Sequence, residues 1–595
     1  MRHLRNIFGA LAATLLFPGL ICRDADGIWT VALFGVLILL FHRTRLWDGS
    51  WQRPVISHGG GLLFALMTGF GCSLEAYGAV PWSDGLFWLS VLGMTHVFAR
   101  VLVLLWELLQ RAEEKLGDGG TPKLDRFLGR PWLVFPVILL LWLPCWLGTW
   151  PGNFVYDATK EWKQLETGFL GDFPMLHSVL ITKLLAWSKE TTGAYNTGIA
   201  VFTGGQMVLL AAMFTHMLWR FRRLGANSYV VLGLTAYCAA FPGIHVLATS
   251  TVRDVLFSGL LTYSVFLLWN ICRDPKAALG SWYRSIGAAV TMVLTVYARN
   301  NNSGLFMPLV LVAVALLLFL LGGKKGWKGA VSFGAAALAV WFSVGGLLSS
   351  VCDPVAPASG NASLTFYSQS LGRAYSLEGE SWPAADQLEM MGYFNMKGFR
   401  YTAECGDSTK GRLRLETPEE EEAFKAFWAK IGKRHPDHYA DAILINTRAA
   451  WFPGAVMDGY QKNKTQMYAD YEKCWFFYAD LIEEPGVLDS KLPAVHDWYR
   501  DLSLMISYEK VPLISQLFSV GFHFWLLLFA CLYALYRRAR HLYLPLAILL
   551  GYMVISMLVP LMILRYFGAI FFAFPMVCLF ILQPGLGTSS VLHKS

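Results

Sequence analysis

A polar and aromatic stretch, residues 148–177, holds side chains suited to acid–base chemistry. Its carboxylates and histidine are Asp157, Glu161, Glu166, Asp172 and His177. Apolar sequence lies on both sides of the stretch, so the pattern predicts a loop with short helices at a membrane surface. A carboxylate placed there can accept a proton as a general base. We favour Asp157 for this role, although a solvated loop carboxylate explains the same residue when it is taken alone.

Three arginines elsewhere in the chain lie at the predicted ends of apolar helices. With their polar neighbours they are Arg253 with Asp254, Arg299 with Asn300 and Asn301, and Arg565 with Tyr566. Ionisable groups at membrane depth are costly and usually have partners or ligands. Because guanidinium groups bind phosphate with two parallel hydrogen bonds, the arginines favour an anionic ligand. The simpler alternative for Arg253 is an interfacial ion pair with Asp254 whose charged ends reach water.

The composition indicates a protein embedded in a membrane. The chain has 595 residues, of which 55% are hydrophobic, and its mean hydropathy is +0.45. Many apolar runs reach the length of about 20 residues that spans a bilayer, which excludes an ordinary soluble enzyme. The formal net charge of +8 fits basic cytoplasmic loops. We therefore expect the lipid bilayer, and no nucleic acid, as a partner.

Basic clusters between the apolar runs predict the orientation of the helices, because positively charged loops stay in the cytoplasm. With both termini inside, about fourteen spans accommodate the apolar runs, and residues 148–177 and the three arginines fall outside. A short apolar segment, 174–190, contains two lysines and is expected to be interfacial or re-entrant. The predicted spans are 6–22, 28–42, 59–79, 85–107, 131–149, 195–219, 228–247, 255–271, 285–298, 303–321, 329–350, 514–535, 542–562 and 566–583.

Residues 351–512 differ in character from the rest, because charge density rises and the long apolar runs stop. At roughly 160 residues the segment has the size of one domain. We predict an extracytoplasmic, mainly helical domain in which Thr417 begins a helix with a capping box. It divides the chain into an N-terminal four-helix module with a cytoplasmic loop (1–130), a membrane core (131–350), the domain itself (351–512) and a three-helix C-terminal segment (513–595). Of its cysteines, Cys352, Cys405 and Cys474 could form one disulfide, and the sequence does not choose the pair.

One motif in this domain has the spacing of metal ligands. It is His435-Pro436-Asp437-His438. Proline beside the start of an amphipathic helix explains the same residues without an ion. We therefore assign no metal ligand in the chain.

The order of these motifs resembles the GT-C superfamily of membrane glycosyltransferases. That superfamily includes protein mannosyltransferases and bacterial aminoarabinose transferases. More specifically, the chain resembles a related family of large bacterial polytopic membrane proteins. The resemblance covers about residues 131–585 and leaves out the four N-terminal helices. It departs at Asp157, which stands without the Asp-Glu pair frequent in the mannosyltransferases, and at Phe173, where they often have histidine. The matching positions are Pro151-Gly152 with Asp157, Pro174 with His177, 250–257, Arg299-Asn300-Asn301, Ser368-Gln369-Ser370 with Arg373, 436–453 and Arg565-Tyr566.

The resemblance implies a GT-C-like fold and an inverting sugar transfer. The donor would be a polyprenyl-phosphate-linked sugar, and the acceptor an extracytoplasmic glycan, lipid or protein, at a bacterial plasma membrane. Asp157 would be the general base, and Asp172 or His177 would orient the base or the acceptor. No cofactor is required, although Asp157 and Asp172 could share a divalent cation. The donor phosphate would be bound by Arg253, Arg299 and Arg565, with support from Asp254, Asn300, Asn301, Gln369, Arg373 and Tyr566.

Three other functions remain open on the sequence. A transporter or flippase for lipid-linked glycans predicts charges deep in the helices and internal repeats, and neither is evident. A ligase or polymerase of lipid-linked polysaccharide would also use a large outer loop, with a pyrophosphate-linked glycan as donor. A scaffolding membrane protein would leave the interfacial arginines and aspartates without a role.

Overall fold

The structure is a computed structural model in which the chain is predominantly helical. Apolar runs fold as helices because a helix satisfies its backbone hydrogen bonds internally, as a bilayer requires. The structure describes residues 2–21, 27–116, 119–155, 157–171, 173–299, 306–352, 355–356, 364–403, 405–455, 482, 484–504, 511, 513–558 and 562–586.

The helices of the described residues are numbered in chain order. They are α1 (Arg2–Ile21), α2 (Gly27–Arg43), α3 (Gln52–Tyr77), α4 (Gly85–Leu116), α5 (Pro122–Leu128), α6 (Pro131–Gly148), α7 (Asp157–Thr167), α8 (Met175–Thr192), α9 (Asn196–Arg223), α10 (Ser228–Ala240), α11 (Pro242–Ala248), α12 (Arg253–Arg273), α13 (Pro275–Leu279), α14 (Trp282–Tyr297), α15 (Phe306–Cys352), α16 (Thr365–Glu378), α17 (Ala384–Tyr393), α18 (Gly406–Lys410), α19 (Pro418–Gly432), α20 (Pro436–Trp451), α21 (Pro493–Leu504), α22 (Val520–Tyr536), α23 (Tyr543–Ser556) and α24 (Gly568–Leu582). A short 3₁₀ turn, Leu564–Phe567, precedes α24. Strand β1 (Phe169–Leu170) pairs in parallel with β2 (Val355–Ala356).

Eight helices of the described residues are long and apolar enough to cross a membrane, or up to nine if the bent pair α10 and α11 is one span. Three of the fourteen predicted spans correspond instead to shorter apolar helices, Gly27–Arg43, Val520–Tyr536 and Arg540–Ser556. The predicted interfacial segment 174–190 forms α8, and it is not among the candidate spans. The chain is therefore an all-α polytopic membrane protein.

The helical run α15 turns back on itself. A Cβ added at Gly334 would lie 3.2 Å from the side chain of Ala315. In a straight helix these two positions would be about 28 Å apart, at 1.5 Å per residue. The run therefore contains two antiparallel segments, which fits the sequence pattern of two apolar stretches, 303–321 and 329–350, separated by lysines.

The predicted N-terminal module packs into the same apolar core as the later helices. Within it, α3 and α4 approach closely, because a Cβ at Gly61 would collide with the carbonyl of Thr95. Across the boundary, the ring of Phe64 on α3 lies 4.8 Å from that of Trp525 on α22. The main core runs from Ala10 in α1 to Leu586 after α24.

The helices between residues 364 and 439 bury a separate apolar core. Its largest fully buried side chains are Phe394, Phe424 and Phe427, and burial of each contributes roughly 1.5–3 kcal/mol. The predicted capping box is confirmed: Thr417 accepts a hydrogen bond from the Glu420 amide, and Glu420 accepts one in return. Cys352 and Cys405, which are both described, form no disulfide with each other, and Cys474 lies outside the described residues.

Candidate functional site

The loop after α6 is tied to the loop before α12. Asn153 donates its amide hydrogen to the Thr249 carbonyl at 3.0 Å, and its own carbonyl accepts from the Thr251 amide at 2.9 Å. From α9, Gln206 Nε2 donates to the carbonyls of Ala248 and Ser250, at 2.9 and 2.8 Å. These bonds bring the first residue of α7 beside the first residue of α12.

Gly152 allows the first loop to pass against α9. Its φ of +121° favours glycine. A Cβ there would also lie 2.5 Å from Thr203 Cγ2. Thr203 holds the loop from the other side, since its hydroxyl donates to the Pro151 carbonyl and accepts from Trp146 Nε1, each at 2.9 Å. Glycine is therefore required for steric reasons at position 152, in the loop that leads to Asp157.

Asp157 lies between two arginines that are distant in sequence. Its Oδ2 is 3.5 Å from Arg253 Nε and 3.2 Å from Arg565 Nη1. The Asp157 side chain is only 14% exposed, so water screens these ion pairs weakly. Burial raises the pKa of Asp157, but Arg565 and Arg253 outweigh burial and hold the pKa below its usual value of 3.8. Asp157 is therefore ionised at neutral pH.

Asp254 forms a second bridge in the same cluster. It is 1% exposed and forms an ion pair with Arg299, and its Oδ2 lies 3.8 Å from Arg565 Nε. Arg565 thus faces both aspartates. Three guanidinium groups thus meet two carboxylates directly, and the buried carboxylate of Glu161 also acts on Arg253.

Aromatic rings line the three guanidinium groups. Arg253 lies 5.2 Å from the ring of Phe173, and Arg299 lies 5.2 Å from the ring of Phe257. The ring of Tyr566 is 5.0 Å from Arg565 and 5.7 Å from Arg299. Each such contact stabilises the cation by about 0.5–1 kcal/mol or more, and it orients the plane of the guanidinium group.

Close packing of α12 on α24 positions Arg565. A Cβ at Gly568 would lie 2.7 Å from Ser258 Oγ. Thr262 donates its hydroxyl hydrogen to the Ala569 carbonyl at 3.3 Å. From α23, Tyr552 donates to the Tyr566 carbonyl at 2.5 Å. The turn that carries Arg565 is therefore held from two helices.

A buried histidine and glutamate lie beside the cluster. His177 Nδ1 is 2.5 Å from Glu161 Oε2, and both side chains are fully buried. Glu161 is one helical turn after Asp157 in α7, so the two carboxylates share a face. Among the described residues, His177 Nε2 and Glu161 Oε1 have no hydrogen-bond partner. Both atoms therefore keep unused hydrogen-bonding capacity.

Seven of the predicted site residues gather in or beside this cluster, and two lie elsewhere. Gln369 donates to the carbonyls of Thr402 and Ala403, at 2.7 and 3.1 Å, inside the 364–439 core region. Arg373 donates to the Gly78 carbonyl at 2.7 Å and lies 3.4 Å from Asp441. Gln369 therefore joins parts of the 364–439 core region to each other, and Arg373 joins this region to the α3–α4 loop. Asp172, Asn300 and Asn301 lie outside the described residues. The residues brought together are Asp157, Arg253, Asp254, Arg299, Arg565 and Tyr566, with His177 nearby.

The sequence analysis named Glu161 among the carboxylates of residues 148–177 but gave it no role, and it missed Phe257 as a member of the site. A signal for each was present, since Glu161 follows Asp157 and Phe257 follows Arg253 at the four-residue spacing that places side chains on one helical face. Phe173 was noted only as a departure from the mannosyltransferases, whereas its ring contacts Arg253.

The histidine motif forms a separate group at the end of α16. His435 Nδ1 and His438 Nε2 lie 3.1 and 3.0 Å from the two oxygens of Glu378, the last residue of α16. Pro436 is the first residue of α20, as expected from the helix-start interpretation. The three ligand-type atoms lie within 4.8 Å of one another, close enough to share a cation.

A family model described as "Family of unknown function (DUF6020)" matches residues 162–587. The chain belongs to the DUF6020 family. No curated protein and no solved structure matches the chain significantly. Within the DUF6020 match lie His177 and the three arginines of the cluster, whereas Asp157 precedes its first residue. The four helices α1–α4 also lie before the match.

Proposed function

We propose that this DUF6020 protein is an inverting membrane glycosyltransferase. It moves a sugar from a polyprenyl-phosphate carrier to an acceptor on the extracytoplasmic side of the bacterial plasma membrane. The supporting observation is the arginine–aspartate cluster, in which Arg253, Arg299 and Arg565 surround Asp157 and Asp254 at the ends of apolar helices. A lipid-linked donor fits that position, since its tail lies in the bilayer and its phosphate at the interface.

The donor phosphate would compete with the aspartates for the guanidinium groups. Arg565 contacts both carboxylates at 3.2 and 3.8 Å, distances longer than a charge-assisted hydrogen bond of about 2.7–2.9 Å. A phosphate can therefore gain shorter contacts with this arginine than the aspartates make. The N-terminus of α12, which begins at Arg253, adds partial positive charge at the same place.

Arginines bound to the phosphate would act most strongly during bond cleavage. The bond between the anomeric carbon and the phosphate oxygen breaks, and its electron pair stays on the phosphate. Negative charge on the leaving group therefore grows in the transition state. Fixed guanidinium groups stabilise that charge, and removal of one such group typically costs about 100-fold or more in rate.

Asp157 would accept the proton of the acceptor hydroxyl. As the acceptor oxygen bonds to the anomeric carbon, its proton passes to the Asp157 carboxylate, and attack opposite the phosphate inverts the centre. The low pKa of Asp157 guarantees the ionised form, but it also weakens the base. Transfer of Arg565 and Arg253 from the carboxylate to the donor phosphate would restore proton affinity when the donor is bound. Catalysis by such a base is typically worth about 10²–10⁴-fold.

The His177–Glu161 pair would orient the acceptor. His177 Nδ1 is engaged by Glu161, and Nε2 is buried with no hydrogen-bond partner among the described residues. That nitrogen can hydrogen-bond a sugar or side-chain hydroxyl beside Asp157. The pair is thus a positioning device for the acceptor in this scheme.

The test is a comparison of cell-surface glycans in the source cell. A deletion strain is complemented with the wild-type chain, with Asp157→Asn, or with Glu166→Gln, which removes an exposed carboxylate from the same helix. We expect the deletion and Asp157→Asn to lose the same sugar modification at normal protein abundance, while Glu166→Gln restores it. Full restoration by Asp157→Asn would reject Asp157 as the base and favour a ligase or transporter of lipid-linked glycans.

A further inference from the structure

A cavity of about 620 Å³ opens among α1, α2 and α4 of the N-terminal module. It is separate from the arginine–aspartate cluster, and its lining contains no residue of that cluster. Its charged and aromatic lining residues are Arg5, Arg45, Arg100, His96, Phe41 and Trp47. We call it the cationic cavity.

The lining of the cationic cavity concentrates positive charge. Three arginines contribute to it, and the lining residues include no aspartate or glutamate. The neighbouring carboxylates Asp48 and Glu107 form ion pairs with Arg53 on α3, which is not a lining residue. Like charges brought together in a partly enclosed space repel one another, so an anion bound there would be stabilised.

Arg100 is built into the wall of the cavity. It is 8% exposed, although it belongs to α4, one of the candidate spans. Its Nη1 donates to Thr44 Oγ1 at 3.1 Å and to the carbonyls of Phe41 and Thr44 at 3.3 Å. Its guanidinium carbon also lies 4.1 Å from the Phe41 ring centre. An arginine inside a helical bundle is expensive unless it has partners, and these contacts hold Arg100 in a fixed orientation at the cavity.

The cationic cavity lies toward the end of the helical bundle away from the arginine–aspartate cluster. Near the end of α4, Glu113 lies beside the end of α24 that is opposite Arg565, since a Cβ at Gly585 would be 3.6 Å from Glu113 Oε1. The start of α4 faces the 364–455 region, since Asp441 accepts hydrogen bonds from the Val80 amide and Trp82 Nε1. Arg100 is about 22 Å further along α4, at 1.5 Å per residue. Next to the cavity, the rings of Trp47 and Trp51 meet edge to face at 4.8 Å, and both side chains are exposed. Exposed tryptophans are typical of the membrane interface.

We propose that the cationic cavity binds the phosphate-bearing headgroup of an anionic lipid at the membrane face opposite the arginine–aspartate cluster. Its volume is in the range of about 300–1,000 Å³ that holds a small molecule, and it exceeds the need of a single phosphate ion. Basic pockets between spanning helices bind such headgroups. The lipid would anchor α1 and α2 to α4.

The experiment measures lipid retention by the purified full-length chain in detergent, using native mass spectrometry. Phosphatidylglycerol and phosphatidylcholine are added at equal concentration. We expect preferential retention of phosphatidylglycerol. Arg5→Gln and Arg45→Gln, which remove exposed lining arginines, should each weaken that retention about tenfold, the value of one lost charged hydrogen bond. Arg43→Gln is the matched control, because it removes an exposed arginine near the end of α2 that is not a lining residue.

Three outcomes would overturn the proposal. Equal retention of both lipids, or equal loss in Arg43→Gln and Arg45→Gln, would show only general attraction to a basic surface. A second arm adds inorganic phosphate and follows thermal unfolding. Saturable stabilisation by phosphate that depends on Arg45, without preference for phosphatidylglycerol, would assign the cavity to a soluble phosphate compound and reject the lipid. Neither readout requires sugar transfer, so the result is independent of the function proposed above.

Discussion

Arg565 Nη1 lies 3.2 Å from Asp157 Oδ2, which joins the last apolar segment of the chain to the loop after α6. Arg565 also faces Asp254, while Arg253 and Arg299 each pair with one aspartate. Loss of Arg565 therefore leaves both carboxylates with an arginine partner. The position can be altered without leaving an unpaired buried charge.

Replacement of Arg565 tests the role of the cluster in phosphate binding. We expect Arg565→Gln to fold and to lower sugar transfer from a synthetic polyprenyl-phosphate sugar by about 100-fold or more. Arg565→Lys keeps the charge but loses the planar fork, so its rate should be intermediate. Arg540→Gln, an exposed arginine next to the same C-terminal helices, is the control. Normal transfer by Arg565→Gln would contradict a phosphate-binding role.

The buried pair His177 and Glu161 should behave as one unit. Each side chain is fully buried and bonded to the other, so removal of either one disables both. We expect the double variant His177→Gln/Glu161→Gln to lose little more transfer activity than either single variant, a coupling of about 0.5–3 kcal/mol. The transfer rates of the wild type, the two single variants and the double variant give this coupling energy. Additive losses would show that the two side chains act separately.

The helical character and the charged helix ends could be predicted from the sequence, because both depend on local composition. Arg253, Arg299 and Arg565 are visible as charges beside apolar runs. Their carboxylate partners are not visible, since the pairing depends on how α12, α14 and α24 pack. The bend of 52° between α10 and α11 had a local signal in Pro242, which a single predicted span, 228–247, ignored.

Gln369 and Arg373 show that the order of motifs along the sequence does not reliably predict which residues lie at the site. Both lie in α16, and both are buried polar residues. Such residues need hydrogen-bond partners wherever they lie, and here Gln369 finds loop carbonyls while Arg373 finds Gly78 and Asp441. The burial of these two side chains is enough to explain their hydrogen bonds. A role at the arginine–aspartate cluster is not needed to account for them.

The pKa of Asp157 predicts the pH dependence of sugar transfer. Arg565 and Arg253 hold this pKa below 3.8 against the effect of burial, so the free enzyme keeps its base ionised above that pH. Protonation, and loss of kcat/KM, should begin only as the pH falls through the lowered value. Arg253→Gln removes one of the two lowering charges and should move the acid limb of kcat/KM to higher pH. If the acid limb of kcat/KM is unchanged in Arg253→Gln, Asp157 is not the group that accepts the proton.

Gly152 offers a test of the loop that positions Asp157. An alanine at φ +121° is strained, and its Cβ would lie 2.5 Å from Thr203 Cγ2. We expect Gly152→Ala to lower the thermal stability, by more than about 1 kcal/mol in unfolding free energy, and to lower sugar transfer through displacement of Asp157. Gly205→Ala is the matched control, because it lies in α9 with open space at its Cβ and alanine favours a helix. Transfer that survives in Gly152→Ala while stability falls would show that the loop supports the fold but does not set the position of the base.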